Sequence, residues 1–190
     1  MKKVLVVVDM QNDFIDGALG TKEAVAIVDK AAAEIERFEG PVFVTIDTHG
    51  SGYLETAEGK KLPVPHCIKG TDGWLLSNKI MTVLSEKEYK TIEKGTFGST
   101  ALAEEIRRIV SSAETEQKKT NQEEMSRTDL EIECFGLCTD ICVVSNVLLL
   151  KANFPEAKIT VRADCCAGVT PETHAAALRT MEMCQIEIVS

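Results

Sequence analysis

Six short apolar runs alternate along the chain with longer stretches in which apolar residues recur at helical spacing. The runs of strand length are 3–9, 40–47, 88–94, 130–136, 158–166 and 186–189, and the helical stretches are 21–38, 99–110, 139–154 and 171–184. The first run is apolar until it reaches Asp9, which is typical of a strand buried on both faces of a parallel sheet. This alternation predicts an α/β fold, a three-layer α/β/α sandwich with a six-stranded, mainly parallel sheet.

Charge and hydropathy exclude several classes of partner. The formal net charge is −9 and no run of Lys and Arg exceeds two residues, which argues against nucleic acid as a ligand. The amino-terminal apolar run stops at Asp9 after five residues, too short for a signal peptide or a membrane span. We therefore expect a cytoplasmic protein that has no membrane partner and acts on a small molecule.

The length of 190 residues fits one domain, 1–190, with a core of its own. Two segments interrupt the alternation. Residues 48–73 are rich in Gly and Pro without periodicity, and a loop of this length is usually functional or disordered. Residues 111–129 are polar and lack an apolar stripe, which indicates a solvated helix extension or a surface insertion.

Mostly charged residues stand at the carboxyl ends of the predicted strands, where open α/β sheets bind their ligands. Asp9, Asp47 and Lys94 each end a strand, and Asp164 is expected at the same edge. An apolar crevice can raise the pKa of an Asp, which would suit a catalytic role for Asp9. A turn cap is an equally common role for an Asp at such a position. Lys94 would bring a cation to the same edge as Asp9.

Two cysteines, Cys138 and Cys142, follow the fourth strand at the start of a predicted helix. Their spacing is compatible with a metal site, a disulfide, two packing residues or a nucleophile, and it does not choose among them. A thiol in the first turn of a helix is placed where amide groups and the helix dipole stabilise a thiolate. Two buried cysteines without a function are the main alternative.

Asp47 and His49 form a D-x-H pair at a strand end, and His66 follows later in the loop 48–73. One carboxylate and two imidazoles suit a divalent transition metal, with zinc, iron and manganese as candidates. A capped Asp with two surface histidines is the alternative that the spacing alone would favour.

Six segments, taken in order, resemble the isochorismatase-like cysteine hydrolases. They are VDMQNDF (8–14), DTH (47–49), PVPHCIKGTDGW (65–74), EKGTFGST (93–100), GLCTDICV (136–143) and ADCCAGVTPETHAAALRTM (163–181). The resemblance implies a catalytic triad of Asp9, Lys94 and Cys142, with an oxyanion hole made by the backbone amides of Cys138 and Cys142. It also implies a cis peptide bond between Leu137 and Cys138.

The branch of that family containing nicotinamidases and pyrazinamidases is the best match. The resemblance implies a divalent metal, zinc before iron or manganese, on Asp47, His49 and His66, with Glu58 or Glu55 as a candidate fourth ligand. It further implies that Phe14 walls a substrate pocket to which Leu137 and Cys138 also contribute.

The activity implied is that of a cysteine amidohydrolase that converts nicotinamide and water to nicotinate and ammonia, with pyrazinamide also accepted. The alternatives are a related hydrolase acting on another amide or on an enol ether, and a small-molecule-binding module without turnover. A homo-oligomer, either a dimer or a tetramer, is expected from the same resemblance.

Overall fold

The computed structural model describes residues 2–112 and 130–190. Its strands, numbered β1 to β6 in chain order, are Lys2–Val8, Val42–Asp47, Tyr89–Lys94, Leu130–Leu137, Lys158–Ala167 and Glu187–Val189. They form one sheet in the order β3-β2-β1-β4-β5-β6, and every neighbouring pair is parallel. The predicted sheet is confirmed, and within the described residues it is wholly rather than mainly parallel.

Six α-helices occur within the described residues. Numbered α1 to α6 in chain order, they are Asn12–Ile15, Lys22–Arg37, Asn78–Leu84, Thr100–Ser112, Val144–Asn153 and Pro171–Met183. Short 3₁₀ turns lie at Tyr53–Glu55 and Asp72–Trp74. The polar segment predicted at 111–129 begins inside α4, and its residues 113–129 lie outside the described part of the chain.

The central strand explains why the apolar runs are continuous. The strand β1 pairs with β2 on one side and β4 on the other, and residues 4–8 are at most 2% exposed. A strand covered by helices on both faces has no solvent face, so it does not need polar residues at alternate positions. Burial of this run contributes about 1.5–3 kcal/mol for each large side chain, and it anchors the sheet around which the site is built.

The chain reverses its direction of travel across the sheet at β1. It runs from β1 through β2 to β3 at one edge and then returns to place β4 against the other side of β1. Such a reversal leaves a crevice beyond the carboxyl ends of the two central strands. Asp9 and the turn after β4 therefore face the same crevice.

The segment after β4 differs from the predicted helix 139–154. Residues Thr139–Val143 form a turn of π-helix, and only from Val144 does the chain continue as α5. The wide turn is closed by hydrogen bonds from the Ile141 and Val143 amides to the Cys138 carbonyl, at 3.1 and 3.0 Å. A single π turn of five residues is too short for its wider period to show in the sequence pattern, so the periodicity does not reveal this change.

Asp164 is not at the crevice. It lies inside β5, three residues before the strand ends at Ala167, and its carboxylate is 3.6 Å from the Lys30 ammonium of α2. The expectation that this residue joins the other strand-end charges was wrong, because Asp164 lies within the strand, inside the predicted run 158–166, and its carboxylate faces Lys30 of α2. Within the described residues no helix is long and apolar enough to cross a membrane.

Candidate active site

Three strand ends and one turn bring four of the predicted residues together. The Lys94 ammonium lies 2.6 Å from Asp9 Oδ2, 3.1 Å from Asp47 Oδ1 and 3.4 Å from Cys142 Sγ. All four residues are buried, with at most 5% of any of them exposed. The ammonium therefore sits at the centre of a cluster of two carboxylates and one thiol, shielded from water.

Asp9 follows β1 and is completely buried. Its backbone has a φ of +48°, a conformation that Asp tolerates better than most residues. Its Oδ1 accepts a hydrogen bond from the Thr45 hydroxyl at 2.6 Å. Burial raises the pKa of Asp9, the nearby Lys94 cation limits that rise, and the Asp47 carboxylate adds to it. The upward adjustment predicted from the apolar strand is thus found.

Lys94 ends β3 and is charged despite its burial. Burial opposes the charge, but the anions around the ammonium outweigh this effect, so the pKa of Lys94 is raised above its ordinary value. The ammonium also donates to the Thr96 carbonyl at 3.1 Å. The three N–H groups of the ammonium are therefore surrounded by four fixed acceptors, so the buried cation does not lack hydrogen-bond partners.

Cys142 lies in the π turn, and its sulfur accepts a hydrogen bond from the Lys94 ammonium at 3.4 Å. Burial and the Asp9 charge raise the pKa of this thiol well above its ordinary value, although Lys94 acts in the opposite direction. The expectation that a helix start would stabilise a thiolate at Cys142 was wrong. Loss of water and the two carboxylates raise the pKa of the thiol despite the Lys94 cation, so the resting sulfur keeps its proton.

The Asp47, His49 and His66 side chains converge beside this cluster. Asp47 Oδ2 is 2.9 Å from His49 Nε2 and 3.6 Å from His66 Nε2. One potential ligand atom from each of the three residues lies within 4.8 Å of the other two. The two histidine rings are nearly perpendicular, with centroids 4.9 Å apart. The structure thus brings together the three residues that the sequence proposed as metal ligands.

The protein's own hydrogen bonds orient these donors for a metal. His66 Nδ1 is 2.8 Å from the Val64 carbonyl, which can only accept, so Nδ1 carries a proton and Nε2 is the ring atom that faces Asp47 and could bind a metal. A carboxylate and two imidazole nitrogens in a buried pocket fit a divalent transition ion, zinc included.

Glu58, and not Glu55, reaches this group. Glu58 Oε1 is 3.6 Å from His66 Nε2 and 3.8 Å from His49 Nε2. Glu55 is exposed in the 3₁₀ turn that follows Gly52. Of the two fourth-ligand candidates, Glu58 has the position that the role requires.

The turn after β4 has the backbone features implied by the resemblance. The Leu137–Cys138 peptide bond is cis, and Gly136 has a φ of +135°. A side chain at residue 136 would collide with the Val8 carbonyl of β1, so only glycine lets the two central strands approach this closely. The expected oxyanion role of the Cys138 and Cys142 amides, and the substrate role of Leu137, remain predictions.

Phe14 is buried against the metal group. It is 5% exposed, and its ring is tilted against that of His66 with centroids 5.5 Å apart. Tyr53 packs edge-on against both histidine rings at 4.7 and 4.9 Å. These rings form an apolar wall beside the donor atoms. That Phe14 contacts a substrate remains a prediction.

Three polar residues near the site were not identified from the sequence. Gln11 clamps Asp47 by accepting from its amide at 2.7 Å and donating to its carbonyl at 2.9 Å. Thr45 binds Asp9, and Asn146 donates to the Cys142 carbonyl at 2.8 Å. Each is buried. Thr45 and Asn146 are polar residues inside apolar runs, which was the signal that could have indicated their roles, whereas Gln11 lies in a polar stretch that gave no such signal.

The third histidine supports the catalytic turn from outside the pocket. His174 Nδ1 is 2.8 Å from the Thr139 hydroxyl, and the Asp140 carboxylate accepts from the Val169 amide at 3.1 Å. These contacts join the π turn to α6 and to the short segment that precedes it. Burial lowers the pKa of His174, so the ring is held in its neutral form.

Comparisons with known proteins agree with this architecture. The family model for the isochorismatase domain matches residues 3–190. A Bacillus subtilis (strain 168) relative, described as the uncharacterized isochorismatase family protein PncA, is 27% identical over 184 residues, covering 94% of this chain and 93% of the relative.

Solved structures with the same fold span the whole chain. The nicotinamidase/pyrazinamidase PncA from Bacillus subtilis superposes with a TM-score of 0.79 at 24% identity, with 100% of both chains covered. The pyrazinamidase of Pyrococcus horikoshii in complex with zinc has a TM-score of 0.74 at 22% identity, with 100% of this chain and 99% of that one covered. The N-carbamoylsarcosine amidase from Thermoplasma acidophilum has a TM-score of 0.70 at 24% identity, with 100% and 96% covered. With its family model matched from residue 3 to residue 190, the chain belongs to the isochorismatase family.

Proposed function

We propose that this protein is a cysteine amidohydrolase that hydrolyses nicotinamide to nicotinate and ammonia. One observation carries the proposal: the Lys94 ammonium contacts the Asp9 and Asp47 carboxylates and the Cys142 sulfur at once. A base, a cation and a thiol in mutual contact are the parts needed to activate a nucleophile. Their contact with the Asp47, His49 and His66 group favours an amide whose ring carries a metal-binding nitrogen.

The first step is proton transfer from Cys142 to Asp9. The thiol and this carboxylate both contact the Lys94 ammonium, and the raised pKa of Asp9 makes it a stronger proton acceptor than an ordinary Asp. The thiolate that forms is 3.4 Å from the Lys94 ammonium, which stabilises its charge. The sulfur then attacks the carboxamide carbon and forms a carbon–sulfur bond.

The second step expels ammonia. Attack converts the carbonyl oxygen to an oxyanion, which the backbone amides of Cys138 and Cys142 stabilise. Asp9 returns its proton to the amide nitrogen, the carbon–nitrogen bond breaks, and the acyl group remains as a thioester on Cys142. A water molecule then gives a proton to Asp9 and adds to the thioester carbon. Breaking the carbon–sulfur bond releases the acid, and the proton returns to sulfur.

Asp47, His49 and His66, joined by Glu58, would hold a divalent ion, with zinc the first candidate. When bound, such an ion supplies a Lewis acid that can hold a pyridine nitrogen or lower the pKa of a water molecule. The pyrazinamidase of Pyrococcus horikoshii was crystallised with zinc. The apolar wall of Phe14 and Tyr53 beside these donors suits a flat heteroaromatic ring.

Ammonia release from nicotinamide tests the proposal. The purified protein is assayed as isolated, after treatment with a chelator, and after zinc is returned, with Cys142→Ala as the matched inactive variant. We expect release that depends on zinc and is absent from Cys142→Ala at unchanged zinc content. No release from zinc-loaded protein, or an active Ala variant, would overturn the assignment.

A second candidate is a hydrolase of a non-aromatic amide. The observation that favours it is the fold shared with the N-carbamoylsarcosine amidase from Thermoplasma acidophilum. Parallel assays with nicotinamide, pyrazinamide and N-carbamoyl amino acids separate the two. A carbamoyl substrate turned over with the higher kcat/KM, and without need for zinc, would make this second candidate the function.

A further inference from the structure

We propose that Asp13 is a positioning residue that sets the affinity of the protein for its divalent metal. Asp13 does not belong to the group of donor atoms formed by Asp47, His49 and His66. Its carboxylate acts through the backbone of Cys67, which joins the segments carrying the two histidines. The inference rests on the proposed metal centre, and it names a residue that sets how tightly that centre binds its ion.

The contacts form a short chain from Asp13 to both histidines. Asp13 Oδ2 accepts a hydrogen bond from the Cys67 amide at 2.7 Å. The Cys67 carbonyl accepts from the His49 amide at 3.0 Å, and Cys67 is covalently attached to His66. A single backbone unit, fixed by one carboxylate, therefore determines the separation of the two imidazoles.

Cys67 needs this external support. It is completely buried and has a φ of +45°, in the left-handed region that residues other than glycine rarely adopt. Without the Asp13 oxygen, its buried amide would have to find another acceptor. Relaxation of the backbone at residue 67 would turn His66 and shift the segment paired with His49.

Gly73 provides an independent indication that the position of this carboxylate matters. A Cβ built on Gly73 would collide with the Asp13 carboxyl group, and Gly73 itself does not have a left-handed φ. The glycine is therefore required by the space that Asp13 occupies and not by backbone conformation. Any larger residue would push the carboxylate away from the Cys67 amide.

Gln11, two residues before Asp13, also binds the backbone of the metal group. Gln11 holds the amide and the carbonyl of Asp47, the third member of the metal group. Asp9, Gln11 and Asp13 are alternate residues of one segment after β1. Asp9 faces the thiol, and Gln11 and Asp13 hold the backbone of the two segments that carry the three metal-binding residues, so one short stretch fixes the positions of all three.

Zinc affinity is the measurement that tests the proposal. Zinc dissociation constants are measured by competition with a chromophoric chelator for the wild type and for Asp13→Ala, Asp13→Asn and Gly73→Ala. We expect Asp13→Ala and Gly73→Ala to weaken zinc binding about 10- to 100-fold, the usual effect of losing an outer-shell partner. Asp13→Asn keeps one oxygen for the Cys67 amide and loses only the bond from the exposed Ala18 amide to the other oxygen, at 3.1 Å, so it should retain most of the affinity.

The double variant Asp13→Ala/Gly73→Ala makes the test specific. Once the carboxylate is absent, the added methyl at residue 73 has nothing to displace, so we expect no further loss of affinity beyond Asp13→Ala. Fully additive losses would contradict the proposed route through the carboxylate. Asp16→Ala removes the same charge from an exposed residue nearby and should leave zinc affinity unchanged.

Two further readouts separate affinity from folding and from the proposed activity. The thermal midpoint of the metal-free proteins reports the fold, and alkylation of Cys142 reports the thiol cluster, which Asp13 does not contact in the structure described. Wild-type protein that binds no zinc would overturn the metal centre itself. Wild-type binding with unchanged affinity in Asp13→Ala and Gly73→Ala would overturn only the role of Asp13.

Discussion

Replacement of Asp9 by Asn is the most informative single change in the site. The substitution keeps the shape of the side chain and removes its charge and its capacity to accept a proton. The Asn oxygen can still accept from the Thr45 hydroxyl, as Asp9 Oδ1 does at 2.6 Å. The new amide group then faces the Lys94 ammonium, where Asp9 Oδ2 lies at 2.6 Å. Lys94 loses its nearest anion and keeps Asp47 at 3.1 Å.

Two opposite effects follow from this change. Loss of the general base should lower kcat about 10²- to 10⁴-fold, or roughly 3–5 kcal/mol of transition-state stabilisation. The Cys142 thiol should become more acidic, because the Asp9 charge adds to the effect of burial in raising the pKa of this thiol while Lys94 lowers it. The variant should thus be a poorer amidase that carries a more readily ionised sulfur.

Two pH profiles measure these effects. The first is kcat/KM for nicotinamide; in the wild type it should fall as the pH drops through the pKa of Asp9, since protonated Asp9 cannot accept the thiol proton. Burial raises that pKa above the ordinary 3.8, so the acid limb should lie above pH 3.8, and it should be missing in Asp9→Asn. The second is the alkylation rate of Cys142, followed by mass spectrometry of its peptide.

The two pH profiles together test whether Asp9 controls the proton of Cys142. We expect the alkylation profile of Asp9→Asn to shift to lower pH while turnover collapses. A thiol pKa that stays the same or rises would show that Asp9 does not control the proton of Cys142. An acid limb that survives the substitution would assign the titrating base to another residue.

Three further substitutions have defined outcomes. Lys94→Met removes the cation that lowers the pKa values of both Asp9 and Cys142, so kcat should fall and alkylation of Cys142 should shift to higher pH, the reverse of Asp9→Asn. Asn146→Ala frees the Cys142 carbonyl and the Ser99 amide, and should lower kcat about 10- to 100-fold with little change in KM in steady-state assays. Gly136→Ala should destabilise the fold by about 2–4 kcal/mol in urea unfolding, because its Cβ would collide with the Val8 carbonyl at a φ of +135°.

The sheet and the strand-end residues could be predicted from the sequence for a physical reason. Strands buried on both faces leave continuous apolar runs, and the carboxyl ends of parallel strands share an edge, so Asp9, Asp47 and Lys94 had to meet. The helices α1 and α3 were not predicted, because they have only four and seven residues, shorter than the window of about 11 residues over which a helical pattern is recognised.

Other features depend on distances that no sequence pattern contains. Glu55 and Glu58 are three residues apart in one loop, and only the path of that loop shows that Glu58 faces the histidines. The raised pKa of Cys142 arises from burial and from a carboxylate 133 positions earlier in the chain. Local reasoning from the helix dipole therefore gave the opposite sign.

The raised pKa of Cys142 is compatible with a nucleophilic role when the charges are counted. Asp9 and Asp47 already place two negative charges beside one positive charge on Lys94, in a cluster with at most 5% of any residue exposed. Loss of the thiol proton to water would add a third anion there, which burial makes unfavourable. Transfer of the proton to Asp9 instead converts a thiol and a carboxylate into a thiolate and a carboxylic acid, so the net charge is unchanged. Burial thus opposes ionisation to solvent while it leaves the internal transfer available, and a sulfur that is inert to water remains ready for an amide bound against it.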